Sequence, residues 1–341
     1  MAKKDQYLNA TKNLIIALGD PAGIGMEITL KALASRKLPP GIIPLLVGCK
    51  KTLIATHQNL KEKGIGPLPN IQDIEIDDIP LTEEFKPGYP SAATGDASFE
   101  WLTRATEYVL DKKAKALVTA PICKHAWHAA GHFYPGQTER LAELAKTNQA
   151  SMLFTAKSPY CNWRFNTLLA TTHIPISQIS TKLTPQLISS KLDILLNFCK
   201  NFKDKPTLSV AGLNPHAGEN GSLGDEEIKW LTPLLREWSC QHPTINLIGP
   251  IAPDSCWLSA AEAWRKGQTS HTPDGFLALY HDQGLIPMKL LAFDTAVNLT
   301  LELPFIRTSP DHGTGFDIAS KGCAREESML AAIQTAWELK K

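Results

Sequence analysis

Between Tyr280 and Gly322 the chain reads YHDQGLIPMKLLAFDTAVNLTLELPFIRTSPDHGTGFDIASKG, which sets two histidines, several carboxylates, two lysines and an arginine among closely spaced glycines and prolines. A core strand and its turn need apolar alternation and one or two breakers. Here metal-ligand types (His281, Asp282), two anion-binding cations (Lys289, Arg307) and a glycine-rich loop (Asp311 to Gly315) arrive together, the composition of an active site. Two more histidines, His173 in LLATTHIPI and His216 in GLNPHAG, directly follow apolar runs, as His281 does. In an open α/β sheet the strand ends converge on a ligand crevice, so three imidazoles there could hold a metal ion with positions left open. From the residues alone this triad is a candidate only. The chain has ten histidines, and one that follows a strand is more often a hydrogen-bonded structural residue. Lys289 and Arg307 would supply charge-assisted donors to a phosphate or carboxylate, or be solvated surface charges.

Other clusters are weaker. His125, His128 and His132 in KHAWHAAGH have helical spacing and could chelate, but no nearby carboxylate completes a set, and they read as a polar helix face. GDPAGIG, between an apolar run and an amphipathic stretch, lacks both the GK[ST] ending of a P-loop and the GxGxxG spacing of a dinucleotide fingerprint. Its small residues fit either a close approach to a ligand or an ordinary tight turn.

The elements that must position these groups alternate: LIIAL then MEITLKALAS, IPLLVG then TLIATHQNLKE, ALVTA then KHAWHAAG, TLSVAGL then DEEIKWLTPLLREW. This rhythm predicts an α/β protein with mostly parallel sheets. Lys63–Pro69 and Lys86–Gly95 read as surface loops, and composition does not locate a domain boundary. A length of 341 residues with 43% hydrophobic content suffices for two cores. With 35 basic and 34 acidic residues the net charge is +1, which provides no footprint for nucleic acid or an anionic membrane. A small phosphorylated ligand in a local pocket fits better. The start, MAKKDQYLNATKN, leads into an apolar run, Leu14 to Leu18, too short for a signal-peptide core or a membrane span, so a cytoplasmic protein is expected. Seven scattered cysteines, none in a CxxC pair, fit free thiols and argue against a thiolate zinc site.

The Tyr280–Gly322 segment, with GDPAGIGMEI, TAPICKHAWHAAGHFYPGQTERLAE and GLNPHAGENGSLGDEE, resembles the 4-hydroxythreonine-4-phosphate dehydrogenase family of vitamin B6 synthesis, with matches spread from Gly19 to Gly322. The resemblance implies two α/β/α domains with a cleft between them, like the isocitrate and isopropylmalate dehydrogenases. Residues 1–130 plus 300–341 would form one domain and 131–299 the other, which would carry the metal ligands and a homodimer interface. It implies that His173, His216 and His281 bind one divalent ion (zinc, magnesium or cobalt) in sites shared across the dimer. Asp254 and Asp282 would support the ligands or handle protons. Gln137, Thr138, Lys289, Asn298 and Arg307 would contact substrate, and His312, Gly313, Thr314 and Asp317 would hold the adenosine half of NAD or NADP. The implied reaction is oxidation of 4-phosphohydroxy-L-threonine to 2-amino-3-oxo-4-phosphohydroxybutanoate, which decarboxylates to 3-amino-2-oxopropyl phosphate for pyridoxal 5'-phosphate synthesis.

The chain departs from the family pattern at several places. YPGQTE stands where YPGHTE is usual, so Gln137 replaces a substrate-binding histidine; it can donate a hydrogen bond but cannot carry charge. His125 replaces a glutamate, and Met26, Cys123, Glu302 and Pro310 stand where proline, asparagine, glycine and valine are common. These departures keep open a dehydrogenase of phosphorylated threonate or erythronate. A metal-dependent hydrolase or lyase without a redox cofactor is the rival from another class.

Overall fold

The runs that lack polar alternation become parallel strands buried on both faces, as strands covered by helices on each side must be. The computed structural model describes residues 12–147, 150–267 and 271–339, so most of the lysine-bearing start, residues 1–11, lies outside the described residues. In chain order the first elements are β1 (Lys12–Ala17), α1 (Gly25–Leu33), β2 (Pro44–Gly48), α2 (Lys50–Glu62), β3 (Glu75–Asp78), α3 (Ala92–Leu110), β4 (Ala114–Thr119), α4 (Lys124–Ala129) and α5 (Gln137–Leu144). There follow β5 (Ser151–Lys157), β6 (Arg164–Leu169), α6 (Ile179–Lys182), α7 (Pro185–Cys199), β7 (Thr207–Ala211), α8 (Thr232–Gln241), β8 (Asn246–Ile251), α9 (Leu258–Lys266), β9 (Gly275–Ala278) and α10 (His281–Ala292). The chain closes with β10 (Val297–Leu301), β11 (Ile306–Pro310) and α11 (Glu327–Glu338).

Two units result. The first runs to Ala150 and resumes at Val297, and the second is Ser151–Ala296. Residues 131–150 and 297–299, which the resemblance groups with the second, fall in the first, where α5 packs on α3 and Arg140 donates to Thr103. The sheet of the first unit has the order β3-β2-β1-β4-β11-β10, all parallel except β10, which runs antiparallel to β11. Leu14, Ile15, Ile16, Leu117 and Val118 at its centre are fully buried. The second unit has the order β5-β6-β9-β7-β8, parallel except for the β5–β6 pair. Its core packs Phe165 and Phe276 edge to face, with Trp163, Trp264 and Met288 around them.

Two local readings change. The stretch Lys86–Gly95 is not all loop: α3 begins at Ala92 behind Ser91, whose hydroxyl accepts the Thr94 amide while the Thr94 hydroxyl accepts the Ser91 amide. This reciprocal cap uses threonine where glutamate or glutamine is usual, which hides it in sequence. Gly95 then lets α3 meet α4, since a Cβ there would stand 2.1 Å from the Ala126 carbonyl oxygen. In GDPAGIG the glycines serve close backbone packing. A Cβ on Gly19 would lie 2.3 Å from Pro121 O, and one on Gly25 2.3 Å from Leu18 O.

Candidate active site

In the first unit Arg307, on β11 opposite Thr300 of β10, is 4% exposed. Its Nη1 donates to Thr300 Oγ1 at 3.0 Å, and its Nη2 to Thr119 Oγ1 at 2.7 Å and Gln137 Oε1 at 3.1 Å. All three acceptors are neutral, and the buried Nε has no partner. An ion taken out of water in this way costs several kcal/mol unless its charge is met. Burial pulls the guanidinium down to about 10, with Glu139 pulling the other way, so it stays protonated at neutral pH. Such a cation suits an incoming anion. Asn298 is two residues from Thr300 on the same face of β10 and adds a buried Oδ1 without a partner.

Gln137 opens α5 and is engaged at both ends of its amide, because Nε2 also donates to Ala120 O at 3.0 Å, just past the end of β4. It therefore braces Arg307. Thr138 follows in the same turn, half-buried.

The loop after β11 carries His312, Gly313, Thr314 and Asp317. Thr314 O accepts the Ile24 amide at 2.9 Å, and a Cβ on Gly23 would come within 2.7 Å of the same oxygen, so this loop lies against GDPAGIG. His312 Nδ1 faces Gly313 O at 2.9 Å, and its Nε2 is buried without a partner, which fits a site for a polar ligand such as a nicotinamide dinucleotide. Gly313 and Asp317 are exposed. The far end of the loop is clasped by α1. Glu27 Oε1 accepts from Lys31 Nζ at 2.8 Å and from the Ala324 amide at 2.9 Å, while Lys31 Nζ donates to Gly322 O and Ala324 O.

Asp20, within GDPAGIG, is fully buried. Its Oδ1 accepts the Ala22 amide at 2.9 Å, and Oδ2 has no partner. Burial pushes this carboxyl up to about 6, against the hydrogen bonds from Ala22 and Thr94.

In the second unit His173, His216 and His281 leave the C-terminal ends of three adjacent parallel strands, β6, β7 and β9, and Asp254 leaves the end of the next, β8. The rings of His173 and His281 lie 5.4 Å apart between centroids at 47°. Asp282 Oδ1 meets His281 Nδ1 at 2.7 Å, which fixes the ring and leaves Nε2 for a metal, as metal-binding histidines require. Two such imidazoles are suitable donors for zinc or a similar ion. Among the described residues no three His, Cys, Asp or Glu side chains of one chain stand together as a metal set, so His216 does not join the pair within a single chain. His216 is exposed on a turn in which five successive residues, His216 to Asn220, have φ between 41° and 82°. Left-handed backbone costs each non-glycine residue roughly 1–2 kcal/mol, and such strain persists only where surroundings hold it.

Gln283 links the strand ends. Its Oε1 accepts the Leu279 amide and its Nε2 donates to Gly212 O, both at 2.7 Å, tying the segment before His281 to the one before His216. The only sequence hint of this role is its place in YHDQG, two residues after His281. Lys289 lies in the last turn of α10, its ammonium 5.8 Å from the Phe293 ring centroid. The spare histidine cluster has structural partners. α4 ends before His132, which stacks on Phe99 with centroids 3.7 Å apart and meets Asp96 at 2.8 Å, and His128 contacts Tyr134 O.

A family model described as Pyridoxal phosphate biosynthetic protein PdxA matches residues 41–336. A 4-hydroxythreonine-4-phosphate dehydrogenase from Synechococcus sp. (strain RCC307) is 60% identical over 96% of this chain and 99% of its own length. A D-threonate 4-phosphate dehydrogenase from Salmonella typhimurium is 40% identical over 96% of this chain and 99% of its own. The crystal structure of 4-hydroxythreonine-4-phosphate dehydrogenase from Klebsiella pneumoniae superposes with a TM-score of 0.78 at 36% identity, covering 97% of this chain and 98% of that one. With the two α/β units and their strand-end histidines, these matches mean that the chain belongs to the PdxA family of pyridoxal phosphate biosynthetic proteins.

Proposed function

We propose that this PdxA-family oxidoreductase oxidises 4-phosphohydroxy-L-threonine with NAD and releases carbon dioxide from the β-keto acid formed, the dehydrogenase step of pyridoxal 5'-phosphate synthesis. The observation that carries the reading is Arg307, a buried guanidinium whose hydrogen-bond acceptors are all neutral. A dianionic phosphate or a carboxylate supplies the missing charge. Arg307, Asn298 and Thr138 are assigned to the anionic part of the substrate, with Gln137 holding the guanidinium in place. Lys289 is assigned to the same substrate on its motif.

For the metal we assign His173 and His281 of one chain and His216 of a second copy. A second copy is favoured by α10, the helix that begins with His281: its Ile286 and Leu290 are 59% and 81% exposed at helical spacing, and Phe293 at its C-cap is 60% exposed. Such an apolar stripe fits a partner surface. When bound, a divalent cation supplies Lewis acidity toward the substrate hydroxyl, and the nicotinamide ring supplies a hydride acceptor. The chain's own part is to orient and to move protons. Asp282 holds the His281 ring, Asp254 at the neighbouring strand end is assigned to the hydroxyl proton, and His312 with Gly313, Thr314 and Asp317 is assigned to the dinucleotide. No helix among the described residues is long and apolar enough to cross a membrane, and all seven cysteines are free thiols, which fits the proposed cytoplasmic location.

The test is nicotinamide absorbance with 4-phosphohydroxy-L-threonine, 4-phospho-D-threonate and 4-phospho-D-erythronate. Fast reduction with the first supports the proposal. Turnover confined to the sugar acids would move the enzyme to the activity in the Salmonella relative's name, and product without reduced nicotinamide would place it among hydrolases or lyases.

A further inference from the structure

Glu227 has no part in the chemistry above, yet its carboxylate is 2% exposed and both its oxygens are aimed at the segment that carries His216. Its Oε1 accepts the backbone amides of Leu213 and Asn214, each at 2.8 Å, and its Oε2 accepts Asn214 Nδ2 at 2.8 Å. Asn214 Nδ2 also donates to Glu226 Oε2 at 2.7 Å. Two glycines complete the block. A Cβ on Gly218 would stand 2.7 Å from Gly224 O and 3.0 Å from Glu227 Oε2, and one on Gly224 would collide with the Asn214 side chain at 2.4 Å. The Ala217 amide closes back on Asn214 O and the Leu223 amide on Gly218 O, so the left-handed run is bounded on both sides by groups that touch Glu227 or Asn214.

We propose that Glu227 is the positioning residue of the metal site: it stabilises the left-handed turn at the end of β7 and so fixes where His216 is presented. This rests on the reading of His216 as a metal ligand. A buried carboxylate that takes three N–H donors holds a strained segment as a neutral side chain cannot, because its charge strengthens every bond it accepts. Replacing it with an amide keeps the shape but sets an NH2 group against the Asn214 NH2 group, which breaks the block at one bond.

The test is titration of the metal-stripped full-length protein with Co(II), read by its visible absorption spectrum, for wild type, His216→Ala, Glu227→Gln and Asn214→Ala. The expected result is a loss of Co(II) affinity of at least tenfold in both His216→Ala and Glu227→Gln, with an altered spectrum in Glu227→Gln and an unfolding temperature close to wild type. If His216→Ala binds Co(II) as wild type does, the metal reading itself fails. If His216→Ala is weakened while Glu227→Gln keeps wild-type affinity and spectrum, the positioning role alone is overturned. Should Glu227→Gln not fold, Asn214→Ala decides: it leaves the carboxylate on the two backbone amides but removes the side-chain link, so weaker Co(II) binding supports the proposal and unchanged binding rejects it.

Discussion

Arg307 donates an Nη2 hydrogen to Gln137 Oε1 at 3.1 Å, and that amide joins the buried guanidinium to the first turn of α5. A carboxamide can hold a guanidinium without cancelling its charge, whereas a carboxylate at the same position would pair with it and fill the anion site from within. Gln137→Glu should therefore raise the KM for the phosphorylated substrate tenfold or more and leave the unfolding temperature equal or higher. An unchanged KM would remove Arg307 from substrate binding.

Gln137→His places a titrating ring beside a fixed cation. The guanidinium disfavours the imidazolium, so the ring titrates below its ordinary value of about 6.5. The imidazolium adds to the charge that a substrate anion meets, so kcat/KM of the variant relative to wild type should fall as pH rises through 5 to 7, and comparing 4-phosphohydroxy-L-threonine with 4-phospho-D-threonate across that range tests whether this position also sets substrate preference. Parallel pH profiles would show that the side chain at 137 does not face the anion site.

Arg307→Ala removes the charge that an anion meets. Loss of one partner of a buried charge pair costs about 2–5 kcal/mol, so kcat/KM should fall by well over tenfold while NAD affinity, measured by fluorescence titration, stays near normal. Arg307→Lys should recover only part of the loss, since a point charge cannot reach Thr300, Thr119 and Gln137 at once. Equal losses of substrate and NAD affinity would place Arg307 in the cofactor site or in the fold.

If the proposed site takes His173 and His281 from one chain and His216 from a second copy, mutant mixing has a defined outcome. Inactive His173→Ala and His216→Ala proteins, exchanged into heterodimers, should regain activity because one of the two sites is intact. His173→Ala with His281→Ala should not, because each chain then spoils its own pair. Recovery in the second mixture but not the first would assign His281 to the opposite subunit.

Asp20 makes stability depend on pH. Its folded value of about 6 lies above the unfolded value of about 3.9, so the folded protein binds the extra proton between them. The stabilising effect of that proton is complete below about pH 4 and lost as pH rises through 6. The unfolding temperature of Asp20→Asn should accordingly gain on wild type between pH 4 and 6.5, with a constant difference above. A difference that does not vary with pH would show an ordinary carboxyl.

Strand positions and the histidines at their ends were legible because both signals are local: unbroken apolar runs, then a glycine, proline or histidine within a few residues. What the histidines need in order to be held there was not. Gln283 reaches a carbonyl 71 residues away and Arg307 an amide 170 residues away, distances at which no spacing rule operates. Gln137 was assigned to substrate by the family resemblance, at the place of a histidine; that its amide also engages the carbonyl past β4 and a cation on β11 has no mark in its neighbours. The extent of the first unit escaped for a related reason. α5 belongs to it through packing against α3, which leaves no mark in composition.

β11 lies between β4 and β10 in the middle of a sheet whose other parallel strands are all made before Thr119 has been passed. About 190 residues separate the end of β4 from the end of β11. At about 5–20 residues per second, the apolar edge of β4 waits on the order of ten to forty seconds during translation for the strand that covers it. Ser151–Ala296 is finished within that interval and can fold first. A nascent chain stalled after the second unit would thus carry a completed second unit and a first unit with an open strand edge, which invites strand-to-strand aggregation and chaperone capture.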